Sequence, residues 1–179
     1  MPTAIDPAVE KAREAALRLL DRMRRTRREL EKKLAEKGHP KDAVAGALDR
    51  LARVGLVDDV AYARAFVRAQ WARRPIALRL VRQKLKLRGV SDSDLEQALT
   101  GAGLGPAEDP EGEALGSAGE QVRATRALAP LLRRYSALEP RDARNRCAAA
   151  LARRGFDYET ISCVVAAALA PVPDGRDDV

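Results

Sequence analysis

Three glycines set the frame of this chain. Each is flanked by apolar residues eight and four positions before it and six, nine and ten positions after it. Around Gly38 these are Leu30, Leu34, Val44, Ala47 and Leu48. Around Gly89 they are Val81, Leu85, Leu95, Ala98 and Leu99, and around Gly155 they are Cys147, Leu151, Ile161, Val164 and Val165. Spacings of three and four trace one face of a helix, and a glycine between two such faces supplies the left-handed backbone that ends the first helix. A motif that recurs in this way names a repeat architecture, in which each small unit buries its apolar face against others.

Each helix–glycine–helix pair is preceded by a further amphipathic stretch. The first runs from Pro7 to Met23, with Ala12, Ala16, Leu19, Leu20 and Met23 on one face. Thr26 and Glu29 then form a capping-box signature, and Pro40 suits the first turn of the next helix. The second triplet opens at Asp58 and Asp59, both favourable helix-start residues, and carries Ala61, Tyr62, Ala65, Phe66 and Ala69 on one face. Pro75 and Ser91 open its remaining helices; Ser117 with Glu120, Pro140 and Asp157 do so in the third triplet. With 46% hydrophobic but only 3% aromatic residues, the core is built of Leu, Val and Ala, which suits close-packed helices. The expected fold is all-α, three tandem three-helix repeats in an elongated, curved array. The expected boundaries are 1–57, 58–100 and 120–171, with an acidic Gly/Pro-rich linker over 101–119 and a disordered tail over 172–179.

No constellation for catalysis is present. His39 is the single histidine, it stands at an exposed helix junction, and no cysteine cluster accompanies it, so no zinc site is expected. Cys147 and Cys163 fall on helix positions and read as structural thiols of a reducing cytoplasm. There is no phosphate-binding loop, dinucleotide fingerprint or nucleophile elbow. Asp58 and Asp59 read as helix caps rather than metal ligands. The expectation is a monomeric, cytoplasmic protein that is not an enzyme and takes no metal or cofactor, without a secretory signal or membrane span.

The net charge of +7 is uneven: residues 1–57 carry +5, 58–99 carry +4, 100–120 carry −5 and 121–179 carry +3. Two basic clusters stand out. The first is Arg22, Arg24, Arg25, Arg27, Arg28, Lys32 and Lys33; the second is Arg73, Arg74, Arg79, Arg82, Lys84, Lys86 and Arg88. Both lie at or within the second helix of a triplet, which points to related surfaces facing phosphates or an acidic protein groove. Trp71 reads as a packing residue, with base stacking as the alternative, and Tyr62 reads as core. Arginines outnumber lysines 26 to 7, a bias that a GC-rich genome produces on a structural adaptor as well. The runner-up reading, ahead of that adaptor, is a free-standing DNA-binding helical protein (a transcription factor or architectural protein), although charge spread over two helices favours backbone contact over base reading.

Gly55-Leu56-Val57-Asp58-Asp59, continued by Tyr62-Ala63 and Phe66-Val67, resembles the core signature of the RecX family of recombination regulators. Ala16-Leu17 through Leu20, Arg24 or Arg25, Thr26, Glu29-Leu30 and Leu34 resemble its opening segment, with Thr26 where the family usually has serine. Leu85, Arg88, Gly89 and Val90 are similar to the end of its second helix pair, while Arg74-Pro75 departs from a common Gly-Pro. The resemblance implies a protein that binds RecA filaments on DNA, with single- and double-stranded DNA as further partners that it binds weakly alone. It implies inhibition of RecA's ATPase, strand-exchange and co-protease functions, and so a role in the SOS response. Within it, Asp58, Asp59, Tyr62 and Phe66 are structural signature residues. The partner surface expected from charge and repeat position comprises Arg24, Arg25, Arg27, Arg28, Lys32, Arg73, Arg74, Arg79, Arg82, Lys84 and Lys86.

Overall fold

The computed structural model describes residues 6–100 and 117–169, and among these the fold is all-α. Nine helices follow in order: α1 Pro7–Leu20, α2 Arg27–Glu36, α3 Lys41–Arg53, α4 Asp59–Arg73, α5 Leu78–Leu87, α6 Asp92–Thr100, α7 Ser117–Arg134, α8 Pro140–Ala152 and α9 Tyr158–Ala168. All fifteen apolar positions of the glycine-centred pattern are buried. Each buried leucine among them contributes about 2 kcal/mol of transfer free energy. Gly38, Gly89 and Gly155 have φ of 83°, 85° and 87°, as does Gly55 at 74°, and no other described residue has positive φ.

The described residues form two compact units. The first comprises residues 6–68 and 82–100, the second 69–81 and 117–169, so α4 and α5 contribute to both. A core of the first unit gathers Ala16 of α1, Leu30 and Leu34 of α2, and Val44, Leu48 and Leu51 of α3, with Val57. A core of the second gathers Ala124, Ala127, Leu128 and Leu131 of α7, Cys147 and Leu151 of α8, Phe156, and Ile161, Val164 and Val165 of α9, with Ala77. The expected linker and tail lie outside the described residues, apart from Ser117–Gly119, which form the start of α7.

Local chemistry accounts for the helix ends. The capping box forms: Glu29 N–H donates to Thr26 Oγ1 at 3.2 Å and Thr26 N–H to a Glu29 carboxylate oxygen at 3.4 Å. Ser91 accepts from Asp94 N–H at 3.0 Å to start α6, and Asp157 from Thr160 N–H at 2.7 Å to start α9. Five expectations change. On α4 the buried residues are Ala63, Val67 and Trp71, and none of Ala61, Tyr62, Ala65, Phe66 and Ala69 is fully buried. Helix α1 ends at Leu20 with Asp21 as its C-cap, so Met23 leaves the apolar face and is 58% exposed. His39 is half-buried rather than exposed, with its N–H bonded to Leu34 O at 3.2 Å across the turn. Cys147 is a fully buried core thiol as expected, but Cys163, read as structural too, is exposed on α9. Glu120 closes no box on Ser117; its carboxylate reaches α5 instead.

Candidate functional site

The described residues hold no group of acidic, histidine and cysteine side chains able to bind a metal, and none of the described helices is long and apolar enough to cross a membrane. The chemistry that is present joins one repeat to the next. In the first unit, Thr26 is fully buried and its hydroxyl donates to Arg88 O at 2.6 Å. Asp58 caps its own helix, accepting from Ala61 N–H at 2.8 Å, but Asp59 accepts from Arg27 N–H at 2.9 Å and so caps α2. Burial pushes the Asp59 carboxyl above its ordinary range; the Arg27 N–H opposes this, and Asp94 and Asp58 add to it. Arg88 donates to the Tyr62 hydroxyl, lies 5.1 Å from the Phe66 ring centroid and meets Glu29 at 3.6 Å. Asp59, Tyr62 and Phe66 thus tie α4 to the start of α2 and to Arg88 just past α5, while Asp58 caps α4 itself.

The second unit repeats this plan with different residues. Ala77 stands twelve residues before Gly89, as Thr26 stands before Gly38, and its N–H donates to Arg154 O at 3.0 Å. Each acceptor, Arg88 or Arg154, immediately precedes the glycine of the following repeat. Leu78 occupies the place of Arg27, and its N–H meets the Glu120 carboxylate of α7 at 3.3 and 3.4 Å. An acidic side chain from the first helix of the following repeat therefore caps the second helix at both junctions. Glu120 also pairs with Arg123, which is only 5% exposed and lies 4.4 Å from the Trp71 ring centroid. Trp71 is itself buried and donates through Nε1 to Ile76 O at 3.1 Å, so it is packed and not poised for base stacking. Sequence reading missed Arg123; its one signal is an arginine among Gly119, Ala124 and Ala127 on the buried face of α7.

The arginines ten residues before the first two glycines have the same use. Arg28 lies over Gly89: a Cβ there would meet the Arg28 stem at 2.2–2.8 Å. Arg79 donates to the carbonyls of Gly155 and Phe156. Among the other expected partner-surface residues, Arg27 is held by Asp49 at 2.7 Å and Glu31 at 3.1 Å, which raise its pKa against the opposing effect of burial. Arg82 pairs with Glu96, and Lys86 with Asp92 at 2.8 Å. Arg25 is half-buried, with an Nε that has no hydrogen-bond partner. Arg24 and Lys32 are exposed without an ion pair among the described residues, as are Arg73 and Arg74, while Lys84 is half-buried. The first cluster lies in the first unit together with Arg82, Lys84 and Lys86; Arg73, Arg74 and Arg79 belong to the second. Unpaired exposed cations of this kind suit phosphate oxygens or carboxylates and offer no nucleophile or proton-transfer group.

Comparison with known proteins adds the following. Family models described as the first, second and third three-helix domains of RecX match residues 12–51, 58–99 and 120–165. A curated protein named Regulatory protein RecX from Mycolicibacterium vanbaalenii is 36% identical over 184 residues, covering 95% of this chain and 93% of that protein. Another of the same name from Halorhodospira halophila is 39% identical over 163 residues, covering 90% of each. The crystal structure of RecX from Lactobacillus salivarius shares the fold at a TM-score of 0.70 and 23% identity, over 88% of this chain and 94% of that one.

Proposed function

We propose that this chain, which belongs to the RecX family of regulatory proteins, binds RecA filaments on DNA and inhibits their ATPase, strand-exchange and co-protease activities. The observation that carries this reading is the match of all three repeats to the family, over nearly the whole length of its curated relatives. The exposed, unpaired cations support it, since a filament groove offers phosphates and carboxylates together. Within the expected surface, Arg24, Arg25, Arg28, Lys32, Arg73, Arg74 and Lys84 are the residues whose charged ends make no ion pair or hydrogen bond among the described residues, and the proposal places the contact there. The protein then acts in the cytoplasm as a monomer and catalyses nothing itself.

The test follows ATP hydrolysis by the cognate RecA on single-stranded DNA as this protein is titrated in below the RecA concentration. Inhibition at substoichiometric ratios is expected. Binding to bare DNA with no effect on RecA would transfer the function to an independent DNA-binding role. In that case affinity would fall ~10³-fold or more between 50 and 200 mM salt if six or more phosphates are contacted.

A further inference from the structure

The third repeat differs from the other two between its second and third helices. In the first two repeats, charged pairs bridge these helices at positions symmetric about the glycine, one pair in the first repeat and two in the second. Arg27 and Asp49, eleven residues to either side of Gly38, meet at 2.7 Å. Arg82 and Glu96 are seven residues to either side of Gly89 and form an ion pair. Lys86 and Asp92, three to either side, meet at 2.8 Å. The same three pairs of positions about Gly155 hold Arg144 and Ala166, Ala148 and Ser162, and Ala152 and Tyr158. All six residues line an open groove of about 730 Å³ between α8 and α9, with Ile161 and Val165 also lining it. No acidic residue lines it. Tyr158 is 84% exposed, the most exposed of the large apolar side chains.

We propose that this groove is a docking site for a protein segment of the RecA filament: a short stretch with small apolar side chains along one face and a carboxylate at one end. This rests on the function proposed above and names a contact within it. Charge complementarity selects the occupant. Arg144 makes no ion pair among the described residues and donates only to Leu169 O at 3.2 Å, so its guanidinium is left to receive a carboxylate. The apolar floor, with a single cation at its edge, suits side chains rather than a phosphate backbone. An exposed tyrosine beside small residues is the usual anchor of such a contact, because it adds area with little entropy cost.

The experiment restores the missing bridge. Ala148→Arg combined with Ser162→Glu rebuilds in the third repeat the pair that Arg82 and Glu96 form in the second; Tyr158→Ala, at an exposed position, is made separately. Binding to RecA filaments on single-stranded DNA and to bare single-stranded DNA is measured for each. The expected result is at least tenfold weaker filament binding for the double variant and several-fold weaker for Tyr158→Ala, with circular dichroism and bare-DNA affinity unchanged. Should the double variant unfold, Tyr158→Ala decides alone. Unchanged filament binding overturns the proposal, and parallel loss of bare-DNA binding overturns it by making the groove a nucleic-acid site. Concentration-dependent sedimentation of the wild type, abolished by the variants, overturns it in favour of a second copy. If the wild type does not bind filaments at all, the proposed function itself falls, and this inference with it.

Discussion

Helices α2 and α5 begin alike, and α8 does not. Arg27 and Leu78 open their helices eleven residues ahead of Gly38 and Gly89, while Pro140 opens α8 fifteen ahead of Gly155. The first two helices leave their starting amides for another repeat to satisfy, and Asp59 and Glu120 do so. In α8 the position equivalent to Thr26 and Ala77 is Ala143, whose N–H is already bonded to Glu139 O at 2.9 Å. One extra turn, opened by a proline that has no amide to satisfy, makes the third repeat self-sufficient at the place where the others need a neighbour. A helix start that depends on the next repeat couples the two; one that does not can end the series.

The strongest way to break this comparison is at the Glu120 junction. Glu120→Ala removes both the acceptor for the start of α5 and an ion-pair partner of the buried Arg123. Losing one member of a buried pair costs about 3–5 kcal/mol, although the Trp71 ring beneath Arg123 softens the loss. A fall in the urea midpoint corresponding to about 3 kcal/mol is expected. Arg144→Ala, at the third-repeat position that matches the capped Leu78 of the second, should change stability by no more than about 0.5 kcal/mol. Equal effects would mean that the start of α8 depends on its surroundings as much as that of α5.

The glycines sharpen the same contrast. A Cβ at Gly38 would meet nothing within 4 Å, whereas at Gly89 it would strike the Arg28 stem, including that residue's Cβ at 2.4 Å. Gly38→Ala therefore carries only the left-handed backbone penalty, about 1–2 kcal/mol. Gly89→Ala adds overpacking and should cost about 2–4 kcal/mol. Similar unfolding midpoints for the two variants would show that Arg28 yields without cost. At Thr26, replacement by alanine loses the cap and the bond to Arg88 O, about 1–2 kcal/mol by the same measurement. Thr26→Ser keeps both bonds and gives up only the buried methyl, so it should cost less, about 1 kcal/mol or below.

The repeat frame was legible because burial is periodic: the fifteen apolar positions could be read without any contact being known. The roles of the basic residues were not, because a sequence shows charge but not the carbonyl or carboxylate that receives it. Arg28 and Arg79 share a repeat position, which reads as a common outward face, yet the structure turns both toward the following glycine turn. Asp58 and Asp59 are adjacent and chemically alike, and nothing in one repeat reveals that the first caps its own helix and the second another. The groove of the third repeat was legible in principle, since alanine, serine and tyrosine stand at five of the six positions and Arg144 alone keeps a charge. It needed the first two repeats to show which positions pair across the glycine.

The smallest effect expected separates two caps by the sign of their pH dependence. Asp59 has its carboxyl pushed up, chiefly by burial. As pH rises, the unfolded chain releases this proton before the folded one does, so folding holds the proton and stability declines through the window between the two values. Asp157 is the reverse: hydrogen bonds from Thr160 pull its carboxyl down. The folded chain releases that proton first, and the resulting stability is present above the ordinary aspartate range and lost as pH falls toward the folded value. Urea unfolding of Asp59→Asn and Asp157→Asn across the acid range tests this. Relative to wild type, the first variant should gain ground as pH rises and the second should lose it. The two slopes should be opposite in sign because one cap reaches across a buried junction to another helix and the other closes its own helix at the surface.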